Sequence, residues 1–420
     1  MSDLASIASS PRRVRQSNEV AALRALLQFG SLSRAELARK LRLNRSSSGH
    51  IIAGLTADGL VREVAADASP ERPGRLRAGR PGILLQLVPE ASFFLGVEIG
   101  VEHISVVELD LAAVAVSTSV EPLDGPSIGV EAAVERAVRQ AFQAIPEERW
   151  HRCEGVGVSV PAQMNRHGFV TVAPLLGWRE LYPAEIVRQA LPIRVPVLAE
   201  NDANAFAIGA GYGRPSSETG VTLFIVLESG VGGGIIVDGT LLRGAHGLAG
   251  EIGHLNIGDG SWRSLEQAIG LEAIVRACRE GGGSGRFGDF VADVRDRVPS
   301  AVAIAESWAR ALAFGLAQTC RVVDPDRVVL GGSVAALYPL VAARVTAHMQ
   351  EFQASTFPTP RITVNEDAAS GAAFGAACMM HRRYFSLESQ RFAEGGADED
   401  DEGSAGVGGG RDQPYPASAA

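Results

Sequence analysis

Apolar positions first recur at helical spacing, with Val20, Leu23, Leu26 and Leu27 predicting a helix from Glu19 to Phe29. Gly30 stops that helix. Ser33, with Glu36 three residues on, has the form of a capping box and opens a second helix whose apolar face is Leu37 and Leu41. The turn Arg42-Leu43-Asn44 leads into a third helix capped by Asn44, with Ile51, Ile52, Leu55 and Leu60 on its core side. Two helices joined by so short a turn make a helix-turn-helix. Two strands follow, Leu60–Val64 and Ile83–Leu87, with the basic loop Arg72 to Gly82 between them. The spacing therefore predicts a winged helix-turn-helix over residues 17–88. The Ser- and Arg-rich residues 1–16 read as a disordered arm.

From residue 92 the pattern becomes an alternation of strands and helices, which predicts an α/β unit over 92–390. Strands are expected at Phe93–Gly100, Ile104–Asp110, Gly155–Val160, Val195–Leu198, Leu223–Leu227, Ile235–Val237 and Val328–Leu330. Helices are expected at Ala132–Ile145 and Ala301–Val322. The stretch FFLGVEIG at 93–100 echoes TLFIVLESG at 222–230, which suggests an internal duplication with two lobes divided near residue 200. Gly230, Gly232, Gly233 and Gly234 read as a glycine turn in a β-hairpin, placed where side chains would block a ligand. Residues 394–420 are acidic and glycine-rich and predict a disordered tail.

Charge sharpens this division. Residues 1–90 hold 14 Lys or Arg against 8 Asp or Glu, a balance of +6, while the whole chain is −9, leaving −15 for the rest. A basic front on an acidic body points to a polyanion as the partner of the front. The third helix opens Arg45, Ser46, Ser47, Ser48, then His50 after Gly49, residue types suited to base edges and phosphates at a helix N-terminus. Arg77 and Arg80 lie in the wing, the latter in a Gly-Arg-Pro segment of the kind that enters a narrow minor groove. These seven are the DNA-binding candidates. Four scattered cysteines without a CxxC pair read as reduced thiols of a cytoplasmic chain. No apolar run reaches about 18 residues, so no membrane partner is expected.

The chemistry gathers at Glu200-Asn201-Asp202-Ala203-Asn204 and at Glu251 and His254, three residues apart after Gly-Leu-Ala-Gly. A carboxylate and an imidazole converging with Asn201 and Asp202 form a polar cup. Such a cup suits a polyhydroxylated ligand, because each hydroxyl both donates and accepts. The runs ENDAN, SGVGGGIIVDG, LLRGAHGLAGEIGH and DPDRVVLGGSV, in order between about Phe94 and Met379, resemble the ROK family of repressors, open reading frames and sugar kinases.

The resemblance implies an actin/hexokinase-like (RNase H-like) body of two lobes. It implies a sugar held by Asn201, Asp202, Glu251, His254 and, in Ser264-Leu265-Glu266, Glu266. Where the family usually has Asn-Leu-Gly-Trp this chain has Leu175-Leu176-Gly177-Trp178, so a ligand with a less polar edge is expected. The family's zinc thiolates correspond to Ile257, Asp259 and Ser264, so no metal and no cofactor are expected, and Trp262 is a candidate filler. Its phosphate loops correspond to Glu98-Ile99-Gly100-Val101-Glu102 and Glu228-Ser229-Gly230. Carboxylates there repel a triphosphate, so the chain is expected not to be an enzyme, although Asp202 matches the kinases' general base. The resulting expectation is a transcriptional regulator, a repressor, with operator DNA and a sugar or sugar derivative as partners. It should act as a homo-oligomer, a dimer or tetramer. A sugar kinase and a regulator with a vestigial cleft are the alternatives.

Overall fold

The computed structural model describes residues 11–65, 83–212, 220–258, 263–353, 357–365 and 369–387. The front domain begins with α1 (Pro11–Phe29), β1 (Leu32–Ser33), α2 (Arg34–Leu41) and α3 (Arg45–Ala57), followed by β2 (Val61–Ala65) and β3 (Ile83–Leu87). Ser33 and Glu36 form the expected capping box of α2, and Asn44 caps α3 by accepting from the Ser47 amide at 2.8 Å. Leu23, Leu26, Leu37, Ile52 and Leu55 are all but fully buried. The strands form a small sheet in the order β1-β3-β2, so Leu32–Ser33 adds a strand that periodicity over two residues cannot show.

Residues 11–16, expected in a disordered arm, are the first turns of α1. Proline suits a helix start, where its missing N–H has no partner to lose. Arg15 then pairs with Glu19 at 3.0 Å, one helical turn on.

The body carries two five-stranded sheets. The first lobe contains β4 (Phe93–Ile99), β5 (His103–Asp110), β6 (Ala115–Pro122), α4 (Val130–Gln143), β7 (Cys153–Val160), β8 (Gln163–Met164), β9 (Val170–Ala173), β10 (Trp178–Leu181), α5 (Pro183–Ala190) and β11 (Val197–Asn201). Its sheet runs β11-β7-β4-β5-β6, and β8 to β10 make a separate small sheet. Then α6 (Asp202–Gly211) leads to the second lobe: β12 (Val221–Leu227), β13 (Val231–Val237), β14 (Thr240–Leu241), α7 (Glu266–Ile269), α8 (Leu271–Glu280), α9 (Phe287–Arg295), α10 (Pro299–Val323), β15 (Arg327–Gly331), α11 (Tyr338–Phe352), β16 (Arg361–Val364) and last α12 (Gly371–Tyr384).

The second sheet runs β14-β13-β12-β15-β16. In both sheets the first strand pairs antiparallel with the next and parallel with the fourth, β4 with β5 and β7, β12 with β13 and β15. The weak echo between 93–100 and 222–230 therefore marks equivalent strands of a duplicated unit. The division near residue 200 holds for the sheets but not for the chain end, because α12 returns to pack on β4 and β7 of the first lobe. Backbone contact fixes it there. A Cβ on Gly96 would lie 1.8 Å from the Ala373 carbonyl oxygen, and one on Gly157 2.0 Å from that of Ala376.

The glycine run also differs from expectation. Gly232, Gly233 and Gly234 lie inside β13, and the turn is Glu228-Ser229-Gly230. Their missing side chains make room for protein rather than for a ligand. A Cβ on Gly234 would lie 2.6 Å from the Ala207 Cβ of α6, and one on Gly233 2.5 Å from the Gly250 carbonyl oxygen.

Candidate functional site

Asn201 and Asp202 stand where β11 ends and α6 begins. Asn201 is the helix cap: its Oδ1 accepts from the Asn204 amide at 3.1 Å, and its Nδ2 donates to the Ala162 carbonyl at 3.0 Å. Asp202 is the first helical residue, its Oδ1 accepting from the Ala203 amide at 2.8 Å. Just behind them Glu200 is buried, accepts from the Asn201 amide and the Asn204 side chain, and pairs with Arg243. Arg243 itself is half-exposed, so it is a clamp on Glu200 rather than a buried charge.

Glu251 and His254 come from the second lobe and do share a face. The segment Ile252–His254 is a short 3-10 turn, which leaves His254 Nε2 3.7 Å from the Glu251 carboxylate. His254 also stands 3.4 Å from Gln163 Nε2 of the first lobe. Glu266 opens α7 and accepts from the Val231 amide at 2.9 Å. Leu175 meets the same turn: a Cβ on Gly230 would lie 3.2 Å from its Cδ1 and 3.3 Å from the Glu266 carboxylate.

These groups share one acidic environment. Burial, then Glu98, Glu251 and Glu228, push the Asp202 carboxyl up to about 7. Burial and Glu266 raise Glu251 against the opposing pull of His254. The cup thus collects acceptors, with His254, Gln163 and the second N–H of Asn201 as donors, a set that fits hydroxyls.

The two loops beside the cup are tied by protein groups. Glu228 accepts from the Ser333 amide at 2.7 Å and the Ser333 hydroxyl at 3.0 Å. Ser229 donates its hydroxyl to Glu102 across the cleft. Burial and the charge of Glu228 raise the Glu102 carboxyl, and burial and the charge of Glu98 raise that of Glu228 against the hydrogen bonds from Ser333. Glu98, at the end of β4, lies 3.7 Å from His103, and this nearby carboxylate is the chief reason that the His103 pKa is raised. Sequence reasoning missed His103, Gln163 and Ser333. Gln163 follows a strand end at Val160-Pro161, the one local signal that its side chain faces the cleft.

At the thiolate positions, Ile257 packs against the second lobe's core, and Ser264 exchanges hydrogen bonds with Gln267. Asp259 and Trp262 lie outside the described residues. Among the described residues no cluster of three or more His, Cys, Asp or Glu could hold a metal ion.

In the front domain Arg45, Ser46 and His50 are exposed at the start of α3, and Ser47 is half-buried. Ser48 is not a surface group. It is 3% exposed and faces the domain interior, because position 48 falls on the same helical face as Ile51, Ile52 and Leu55. Arg77 and Arg80 lie outside the described residues. No helix among the described residues is long and apolar enough to cross a membrane, and the four cysteines are buried and unpaired.

Comparison with known proteins agrees with this architecture. The chain is 27% identical over 251 residues to a xylose repressor of Caldicellulosiruptor bescii, spanning 58% of this chain and 59% of that relative's length. A crystal structure of a ROK family transcriptional regulator, a homolog of the E. coli MLC protein, covers 88% of this chain and 97% of its own at a TM-score of 0.68 and 20% identity. A ROK family glucokinase from Streptomyces griseus, in complex with glucose and AMPPNP, covers 69% of this chain and 99% of its own at a TM-score of 0.60 and 25% identity. The model of the ROK family matches residues 94–383, more than two thirds of the chain, and the chain belongs to the ROK family.

Proposed function

We propose that this chain is a sugar-responsive transcriptional repressor. Its front domain grips operator DNA through Arg45, Ser46, Ser47 and His50 of α3, with Arg77 and Arg80 in the wing. A sugar in the cup of Asn201, Asp202, Glu251, His254 and Glu266 changes that grip. The observation that carries this reading is one chain holding both a winged helix-turn-helix and a cup whose neighbouring phosphate loops are closed. Glu228 takes the Ser333 amide that would otherwise face an anion, and Glu102 takes Ser229. A triphosphate would meet two carboxylates there, so the fold serves binding without phosphoryl transfer. The regulator structure covers 88% of this chain and the glucokinase 69%, which supports the same choice.

The ligand class follows from Leu175. Leu175 puts an apolar side chain beside Gly230 and Glu266 where the resemblance expects an amide, which favours a ligand with fewer polar groups such as a pentose, and the relative's name, xylose repressor, points the same way. Reduced thiols and a DNA target are consistent with the cytoplasm, and a palindromic operator with a symmetric oligomer. The test is operator binding by the full chain across a panel of pentoses, hexoses and their phosphates. A shift of at least tenfold with one panel member is the expected result. No shift with any sugar, together with sugar phosphorylation from ATP, would replace the repressor with a kinase.

A further inference from the structure

His381 in α12 has no solvent exposure. Its Nε2 stands 3.1 Å from the Leu111 carbonyl oxygen, and its Nδ1 meets the Tyr212 hydroxyl. A carbonyl only accepts, so Nε2 carries the ring proton and Nδ1 accepts from Tyr212. Burial holds the ring down to about 4, which keeps it in this neutral form.

Its partners come from separate parts of the protein. Tyr212 closes the far end of α6, the helix that Asp202 opens. Ten residues at about 1.5 Å each set the cup and Tyr212 about 15 Å apart along one rod. Leu111 follows β5 of the first lobe. The imidazole also stacks on Phe385, with centroids 4.5 Å apart and planes at 24°. The Phe385 carbonyl in turn accepts from Arg24 Nε of α1 at 2.8 Å, which is the front domain. Around this bond Leu23, Leu26, Met379, Met380 and Tyr384 belong to a single apolar cluster.

The rod cannot slide freely past α12. A Cβ on Gly375 would lie 1.7 Å from the Ala205 carbonyl oxygen, and one on Gly209 2.9 Å from the Gly375 Cα, so the two helices touch backbone to backbone. A ligand that displaces the N-terminus of α6 must carry α12 with it or break the Tyr212–His381 bond.

We infer that His381 is a positioning residue that couples the sugar cup to the DNA-binding domain, by tying the end of α6 to the end of α12 on which Arg24 is anchored. This rests on the sugar-responsive reading above. It identifies α6 and α12 as the two-state element that both sites bias.

The test uses the full chain, D-xylose and an operator duplex selected by the wild-type protein from random-sequence DNA. In Tyr212→Phe, which removes one hydroxyl and keeps the ring, D-xylose affinity should stay within about twofold. The ratio of operator affinities without and with D-xylose should fall by about fivefold or more, the low end of ordinary coupling. His381→Gln, whose amide can donate to Leu111 and accept from Tyr212, should keep more of that ratio than His381→Phe. Hydrogen exchange of the free protein is the second arm. Tyr212→Phe should speed exchange in residues 20–29 and 379–385 and leave α10 unchanged. An undiminished operator ratio, or unchanged exchange in both segments, would overturn the inference, and so would an equal loss of D-xylose affinity. A wild-type protein blind to D-xylose defeats the sugar-responsive reading instead, and the exchange arm then still decides whether His381 ties the domains.

Discussion

Ser229 of the second lobe donates its hydroxyl to the carboxylate of Glu102 in the first. One hydrogen bond thus spans the mouth of the cleft where a nucleotide would have to enter, between two loops whose acidic groups repel phosphate. We predict no ATP-dependent phosphorylation of pentoses or hexoses. A coupled assay giving turnover near about 1 per second, an ordinary enzyme rate, would refute the closed-loop reading.

The position of Ser48 separates two kinds of change in α3. Arg45→Ala should weaken specific operator binding by about 1–3 kcal/mol if Arg45 reads a base. Ser48→Ala removes a buried hydroxyl that finds no partner, so operator affinity should hold and the melting temperature should not fall. Arg80→Ala should weaken binding to all sequences and flatten its salt dependence. Titrations of the three variants at two salt concentrations check all of this.

How much was legible in the sequence follows from how local each signal is. The caps at Ser33 and Asn44, and the periodicity of the front helices, are short-range and were read correctly. The pair Glu251 and His254 was legible for the same reason. The glycines of β13 were misassigned because their cause is α6 pressing on the strand, a contact between segments far apart in the chain. His103, Gln163 and Ser333 acquire their roles only when the cleft closes around them. His381 could not be found at all, since a histidine in an apolar helix has no mark of its partners, which lie 169 and 270 residues away.

Asp202 should make stability fall as pH rises. Its carboxyl is raised from 3.8 to about 7 by burial, so between those values the folded state holds a proton that the unfolded state has released. The loss is complete above about 7 and absent below the unfolded value. Discounted for partial exposure, it is on the order of 1–3 kcal/mol. Asp202→Asn should therefore be the more stable protein at pH 8 and nearly equal at pH 4. Denaturant melts at both values test the sign, and equal stability at pH 8 would contradict the raised carboxyl.

Asp202→Ala and Glu251→Ala should each reduce ligand affinity by about 1.5–3 kcal/mol, or roughly 10- to 150-fold. Operator affinity without ligand should stay near wild type, because among the described residues neither side chain has a hydrogen bond or ion pair to the front domain. Mutants that respond to the sugar as wild type does would put the cup elsewhere.

Gly234→Val should destabilise the protein by about 1–3 kcal/mol or more, since the new side chain enters α6 at Ala207 and Ala203. Ligand affinity, measured in the folded fraction, should fall with it, because α6 carries Asp202. A variant as stable as wild type would mean that strand and helix part more easily than their contact implies.

The apolar cluster shared by α1 and α12 bears on any attempt to exchange sensors between regulators. The covalent joint near residue 88 looks like a natural place to cut, but the front helices are also roofed by the last helix of the body. A chimera spliced at the joint alone would bring Leu23, Leu26 and Arg24 against a stranger's α12. Grafting this reader onto another sensor requires moving residues 379–385 with it, so the transplantable unit is discontinuous in sequence.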